Sequence, residues 1–194
     1  MIKNDLSIII PNFNSGHLLE DSLESIFKET VSFSFEVLIV DNCSSDHPEN
    51  IVEKYPYINL FFLSEPDFGI YDAMNKGVSL AKGDWLIFLG SGDELIIESI
   101  ECIFSQSLRD FKFLYGNTLL RKNNHLYDGV FSKPKLLKKN ISHQAILYHN
   151  SLFVSFGFFP LKYSIWADYY FNLFVFFKDK QVIRYFDLAI SIYK

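Results

Sequence analysis

Four short runs of consecutive apolar residues alternate along the first half of the chain with segments whose apolar positions recur every three to four residues. The strand-like segments that hold them are Leu6–Ile10, Glu36–Val40, Asn59–Leu63 and Trp85–Leu89, with Ser7, Glu36 and Asn59 their polar members. Uninterrupted rather than alternating apolarity is what a strand needs when both of its faces are covered. Between them, Leu19, Leu23, Ile26 and Phe27 fit one helical face, and a shorter helix runs through Ile51. Ile70, Met74, Gly77, Val78 and Ala81 fit another, and a fourth helix spans Ile96–Phe104. Strands that alternate with helices in this way predict a parallel sheet covered on both sides. Pro11 is expected to close the first strand, because it cannot donate to a ladder.

The rhythm changes after about residue 111. Lys112–Tyr115 and Ser142–Tyr148 read as strand-like pieces. A helix follows at Ala167–Lys178, with Trp166, Tyr169, Tyr170, Leu173, Phe174 and Phe177 as its apolar stripe. Gln181–Phe186 and Leu188–Tyr193 read as two closing strands. No stretch rich in Gly, Pro or Ser divides the chain. The expectation is one domain over 1–194 with two halves, about 1–110 and about 111–194.

Composition narrows the classes of function. Hydrophobic residues make up 49% of 194 residues, which excludes global disorder. The 21 Phe accompany frequent Ile, Asn, Lys and Ser, so a coding bias explains them before any aromatic platform does. A net charge of −5 argues against a nucleic-acid partner held by phosphate neutralisation. Lys133, Lys135, Lys138 and Lys139 form a local basic cluster, either a solvated loop or a contact for an anionic membrane or lipid diphosphate. Cys43 and Cys102 stand far apart and outside any metal-ligand spacing, which fits a reducing cytoplasm. The opening residues do not read as a signal peptide, and no apolar stretch is long enough to predict a membrane span. The expected location is cytoplasmic, with peripheral contact at the inner face of the plasma membrane left open.

Ligands of open parallel sheets bind beyond the carboxyl ends of the strands. The residues there are Pro11-Asn12-Phe13-Asn14, Asp41 to Asp46, Ser64 to Asp67, and Gly90-Ser91-Gly92-Asp93. Neither a Gly-rich dinucleotide turn nor a P-loop is present, so a diphosphate near these acids needs a cation between them. Asp93 is the first choice to hold Mg²⁺ or Mn²⁺, hard ions that take carboxylate and phosphate oxygens. Its alternative is to cap a helix starting near Leu95. Asp41 is either a turn residue or an acceptor for a nucleotide base. Asp72 and Lys76, four apart, are either an exposed ion pair or donor contacts.

These motifs resemble glycosyltransferase family 2. Ser7–Asn14 (SIIIPNFN) resembles that family's opening strand and nucleotide loop, and Val40–Asp46 (VDNCSSD) its base-binding segment. Ser64–Gly77 (SEPDFGIYDAMNKG) is the most specific match, to a subgroup that includes capsule, colanic-acid and lipopolysaccharide side-chain transferases. Ala81–Asp93 (AKGDWLIFLGSGD) resembles the approach to the metal motif, here reduced to one acid.

The resemblance implies a GT-A fold, a Rossmann-like, mostly parallel sheet with a smaller mixed acceptor half. It implies inverting transfer of a sugar from a nucleotide-diphosphate donor, UDP by default, to a glycan or lipid-linked acceptor in surface polysaccharide synthesis. Pro11, Asn12, Asn14, Asp41, Ser44, Asp67, Asp72, Asn75, Lys76, Ser91 and Gly92 would then serve donor binding. Asp93, helped by His143, would hold the metal, unless His143 is an ordinary core residue. Asp168 would be the catalytic base, desolvated by Trp166, Tyr169 and Tyr170, unless it only stabilises a helix N-terminus. Relatives usually continue with more helix after the equivalent of Ala189–Tyr193, so the resemblance implies either weakened acceptor binding or an inactive protein. The alternatives are a donor-binding relative without turnover and, further off, a metal-dependent phosphohydrolase. Oligomeric state is not legible.

Overall fold

The computed structural model describes residues 4–178 and 182–194. The first half runs β1 (Asn4–Asn12), α1 (Gly16–Phe27), β2 (Phe35–Asp41), α2 (Glu49–Val52), β3 (Leu60–Ser64), α3 (Ile70–Leu80) and β4 (Gly83–Phe88). It continues with β5 (Glu94–Leu95), α4 (Ile97–Phe104), β6 (Phe113–Leu120), β7 (His125–Tyr127) and α5 (Lys133–Leu136). The last elements are β8 (Ile146–His149), α6 (Ser151–Phe156), α7 (Ala167–Lys178) and β9 (Ile183–Tyr193).

One mixed sheet carries the strands in the order β3-β2-β1-β4-β8-β6-β9-β5, with β7 against β6. β1 pairs in parallel with β2 and β4, β2 with β3, and β6 with β9. The pairs β4/β8, β6/β8, β6/β7 and β5/β9 are antiparallel. A parallel half thus continues without a break into a mixed one.

The continuous apolar runs are explained by what lies on each side of the sheet. Ile8, Ile10, Val37, Ile39 and Ile87 pack on one face with Leu19, Leu23 and Ile26 of α1 and Ile97, Ile100 and Ile103 of α4. Ile9, Leu38, Leu86 and Phe88 pack on the other with Met74 and Val78 of α3 and Phe171, Val175 and Phe176 of α7. Each such side chain contributes about 1.5–3 kcal/mol on burial. Gly77 lets α3 lie close, since a Cβ there would come 2.4 Å from Ile9 Cγ2.

Several expectations need correction. Pro11 does not end β1: the pairing with β2 runs on through Pro11↔Val40 and Asn12↔Asp41. β4 stops pairing with β1 at Ile9↔Phe88, so Pro11 sits where one side of the strand is already open. Residues 143–145 form a 3₁₀ turn, and the strand starts only at Ile146. The two closing strands are one, β9, whose irregularity against β6 between Tyr115 and Asn117 falls where the apolar pattern broke. The expected start at Gln181 lies outside the described residues. Asp93 caps no helix, because α4 begins at Ile97 with Ile96 in the cap position. Among the described residues, no helix is long and apolar enough to cross a membrane.

Candidate functional site

The carboxyl ends of β1 and β2 are tied together by one carboxylate. Asp41, buried at the end of β2, accepts from Asn12 Nδ2 at 2.8 Å and from Ser64 Oγ at 2.7 Å. The Ser44 N–H donates at 3.0 Å to the oxygen that also accepts Ser64, and the Ser44 hydroxyl donates to the oxygen that accepts Asn12. Burial works against ionisation of Asp41, but these donations outweigh it and hold its pKa below the ordinary carboxylate value. Asn12 Oδ1 in turn accepts from Ser91 Oγ at 2.8 Å, and the Asn14 N–H donates to Ser44 Oγ at 2.8 Å. The structure therefore brings Asn12, Asn14, Asp41, Ser44 and Ser91 into one network.

Beside it lies a cleft of about 350 Å³, lined by Pro11, Asn12, Phe13, Asn42, Asp67, Gly90 and Ser91 among others. Its size suits part of a nucleotide sugar. Asp67 reaches it from the loop after β3, where its N–H donates to Asn42 Oδ1 and its carboxylate accepts from the Gly69 N–H, both at 2.8 Å. Burial raises the Asp67 pKa. Gly92 turns the chain at φ +98°, a conformation that favours glycine, and gives its N–H to Ser22 Oγ.

Gly69, Ile70 and Ala73 of the Ser64–Gly77 motif also line the cleft, whereas Asp72, Asn75 and Lys76 do not. Asp72 Oδ2 accepts the Phe68 N–H across the first turn of α3. Lys76 pairs with Glu65 at 2.9 Å and donates to the Pro66 carbonyl, so the ion pair expected with Asp72 is not the one formed. Asn75 is turned into the fold: its amide brackets Phe159, donating to the carbonyl and accepting the N–H, both at 2.9 Å. Asn75→Ala would strand two buried backbone groups and is expected to cost about 3 kcal/mol of stability. Urea unfolding measures the loss, and unchanged UDP affinity in the folded variant separates this structural role from donor contact.

A second cavity, of about 260 Å³, opens within the second half and is lined by Tyr127, Asn140, His143, Gln144, Asp168 and Tyr193 among others. Asp168 stands in the first turn of α7 and is buried. Its carboxylate accepts from Tyr71 Oη at 2.6 Å and from Asn140 Nδ2 at 2.7 Å. Burial first, and then the neighbouring Asp168, push the Tyr71 pKa far up, so its hydroxyl stays a donor. Asp168 takes its hydrogen bonds from these two and not from the aromatic residues expected around it. The Tyr169 hydroxyl goes to the Leu136 carbonyl, and the rings of Trp166 and Tyr170 are exposed.

Asp93 stands against Gly90, which lines the cleft, and near Gln144, which lines the second cavity. Burial raises its pKa against the pull of the Lys194 N–H, His143 and Gln144. His143 feels both Asp168 and Asp93, while desolvation keeps its own pKa low. Gln144 is almost fully buried, and its Oε1 has no hydrogen-bond partner. A Cβ at Gly90 would fall 2.6 Å from Asp93 Oδ2 and 3.7 Å from Gln144 Oε1. Two oxygen donors thus border the spot that glycine leaves free. Among the described residues no three His, Cys, Asp or Glu side chains gather to hold a metal. The set fits a hard ion held by one carboxylate and completed by phosphate oxygens and water, not a site built wholly from side chains.

The model of the family described as glycosyl transferase family 2 matches residues 7–169. The chain belongs to that family. It is a glycosyltransferase with a GT-A fold, and its family works in glycan biosynthesis. Over 194 residues it is 36% identical to a PGL/p-HBAD biosynthesis glycosyltransferase of Mycobacterium tuberculosis, covering 96% of this chain and 75% of the relative. The glucosyltransferase WfgD of Escherichia coli, named for UDP-Glc and α-D-GlcNAc-diphosphoundecaprenol, is 31% identical over 137 residues, 70% of this chain and 53% of WfgD. Residues 1–349 of S. aureus TarS, solved with UDP-GlcNAc, superpose with TM-score 0.76 at 22% identity, covering 97% of this glycosyltransferase and 58% of that chain. The mannosyltransferase PcManGT of Pyrobaculum calidifontis, solved with GDP-Man and Mn²⁺, gives TM-score 0.69 at 15% identity, covering 100% and 57%. The glycosyltransferase thus spans less than two thirds of either solved chain.

Sequence reasoning missed Tyr71 and Asn140, and it gave no role of their own to Ser64, named only among the strand-end residues, or to the Gln144 side-chain oxygen. Tyr71 and Ser64 lie inside the most specific motif, which was a signal for them. Asn140 had none, since it is one Asn in a basic loop and meets Asp168 only through the fold.

Proposed function

We propose that this glycosyltransferase moves a sugar from a nucleoside-diphosphate donor, UDP-linked by preference, to a glycan or lipid-linked saccharide hydroxyl, with inversion at the anomeric carbon. The observation that carries the reading is the arrangement of acids: Asp41 holds the strand-end network beside the cleft, Asp93 stands against Gly90 of the cleft wall, and Asp168 lines the second cavity with His143 and Gln144. The Asp41 network supplies a rigid, ionised acceptor at the strand ends for the base. Asp67 meets the donor from the loop after β3.

In a single displacement the acceptor oxygen bonds to the anomeric carbon as the bond to the diphosphate breaks. Asp168 accepts the proton that the hydroxyl loses. Tyr71 and Asn140 hold its carboxylate in one orientation for that step. Asp93, with Gln144 Oε1 beside it, would hold Mg²⁺ or Mn²⁺. When bound, the cation supplies positive charge against the departing diphosphate. The Mn²⁺ seen with PcManGT and the lipid-linked acceptor in the name of WfgD support these choices.

Calorimetric titration with UDP, GDP and dTDP, with and without Mn²⁺, tests the reading. One nucleotide should bind with an affinity that rises with Mn²⁺, and Asp93→Ala should remove the metal dependence. A folded protein that binds none of the three overturns it. A second reading, donor binding without turnover, draws on the single acid at the metal position, one of whose oxygens already accepts the Lys194 N–H. Nucleotide binding without transfer to any of a range of acceptors would favour it.

A further inference from the structure

The charge of this chain is divided along its length. Before residue 102 there are 5 Lys and Arg against 18 acids; after residue 101 there are 13 against 5 Asp and no Glu. The net value of −5 therefore hides a cationic acceptor half. On that half the outward side of α7 is apolar where a surface helix would ordinarily be polar. Tyr170, Phe174 and Phe177 are each more than two-fifths exposed, and with Leu137 they line an open groove of about 570 Å³. Ring contacts extend it, from Tyr163 to Tyr170 at 5.4 Å and from Tyr170 to Phe174 at 5.9 Å.

Lysines sit on these rings. Lys133 Nζ lies 5.0 Å from the centre of Phe177, and Lys162 Nζ lies 4.9 Å from Tyr163 and 5.9 Å from Tyr170. Lys178 closes the groove and lies 5.2 Å from Phe156. Among the described residues no carboxylate pairs with Lys133, Lys162 or Lys178, whereas Lys135 and Lys139 are both occupied by Asp128. Exposed aromatic rings among unpaired lysines are complementary to a surface with apolar depth beneath a layer of negative charge.

We infer that the outer face of α7, with Lys133, Lys162 and Lys178, docks on an anionic lipid bilayer. The rings enter the headgroup boundary while the ammonium groups meet lipid phosphates. The same helix carries Asp168 in its first turn, so docking brings the acceptor cavity to the membrane surface. The inference extends the lipid-linked-acceptor reading by naming the surface, and it relies on that reading only for the identity of the partner.

Sedimentation with phosphatidylcholine vesicles, with and without phosphatidylglycerol, is the test, alongside UDP titration and light scattering of the same samples. Binding should require phosphatidylglycerol and weaken as salt rises. Lys133→Gln/Lys162→Gln/Lys178→Gln should reduce it about a hundredfold, and Phe174→Ser/Phe177→Ser should reduce it while UDP affinity stays the same. The lysine variant changes only surface groups, so the test stands even where the aromatic one folds poorly. Absence of vesicle binding, equal binding to both vesicle types, or self-association that Phe174→Ser/Phe177→Ser abolishes would each overturn the inference, the last in favour of a second copy on this face. If vesicle binding fails while UDP still binds, only the surface assignment falls; the reverse result removes only the donor reading.

Discussion

An Asp168→Asn enzyme is expected to lose about 10²- to 10⁴-fold in kcat while binding UDP as the parent does. The substitution keeps size and shape but removes the group that can take the proton of an attacking hydroxyl. Tyr71 Oη can still donate to the amide oxygen, but the new NH₂ then faces the Asn140 Nδ2 donor. Asn140→Ala and Tyr71→Phe should each cost less than Asp168→Asn, because they remove support and leave the base. Initial rates with a saturating donor, beside calorimetry with UDP, provide the measurement. Near-parental kcat in Asp168→Asn would rule out the assignment of the base and leave Asp168 as a residue that steadies the first turn of α7.

The second large effect is expected at Asp41. Replacing it by Asn puts an amide NH₂ among donors from Asn12, Ser44 and Ser64, so at least one buried donor loses its acceptor. The expected loss is about 3 kcal/mol, read from urea unfolding at neutral pH. The sign with pH follows from the lowered pKa of Asp41 in the folded protein. Its stabilisation is full above the unfolded carboxylate value of about 4 and is lost as pH falls through the lower folded value. The gap between parent and variant should therefore be widest near neutrality and close in acid. A gap that stays constant into acid would mean that the ionised carboxylate is not what holds the strand ends together.

The parts of the fold that could be read in the sequence are those fixed by local pattern. LSIII and EVLIV are short, apolar on both faces and β-branched, and only a doubly covered strand satisfies all three. The helix at Ala167–Lys178 was legible by its length, but the stripe expected to face inward was not: the fold buries Phe171, Val175 and Phe176 and leaves Trp166, Tyr170, Phe174 and Phe177 exposed. β5, β7, α5 and α6 were not, since elements of two to six residues are too short to show a period and form because neighbours supply their hydrogen bonds. Gly and Asp after a strand announce a strand-end site, so Asp41, Asp67 and Asp93 could be picked out. Which motif residues turn inward is a property of packing: Asn75 looked like a ligand contact, yet Phe159, 84 residues later, occupies both ends of its amide. Asp168 was found through resemblance, and its two partners only through the fold.

The position of β9 has a consequence for the order in which the molecule can be made. The last strand of the described chain lies inside the sheet, between β6 and β5, and Lys194 reaches back to Asp93 across 101 residues. As the chain leaves the ribosome, β1 to β4 can pair at once, because each needs only a neighbour already synthesised. β6 and the β5 turn that carries Asp93 must wait with an unpaired edge until residues 183–193 emerge. Late pairing between distant segments is slow and leaves such edges exposed to the wrong partner. The parallel half should therefore become protected from hydrogen exchange first during refolding. The neighbourhood of Asp93 should follow only with β9.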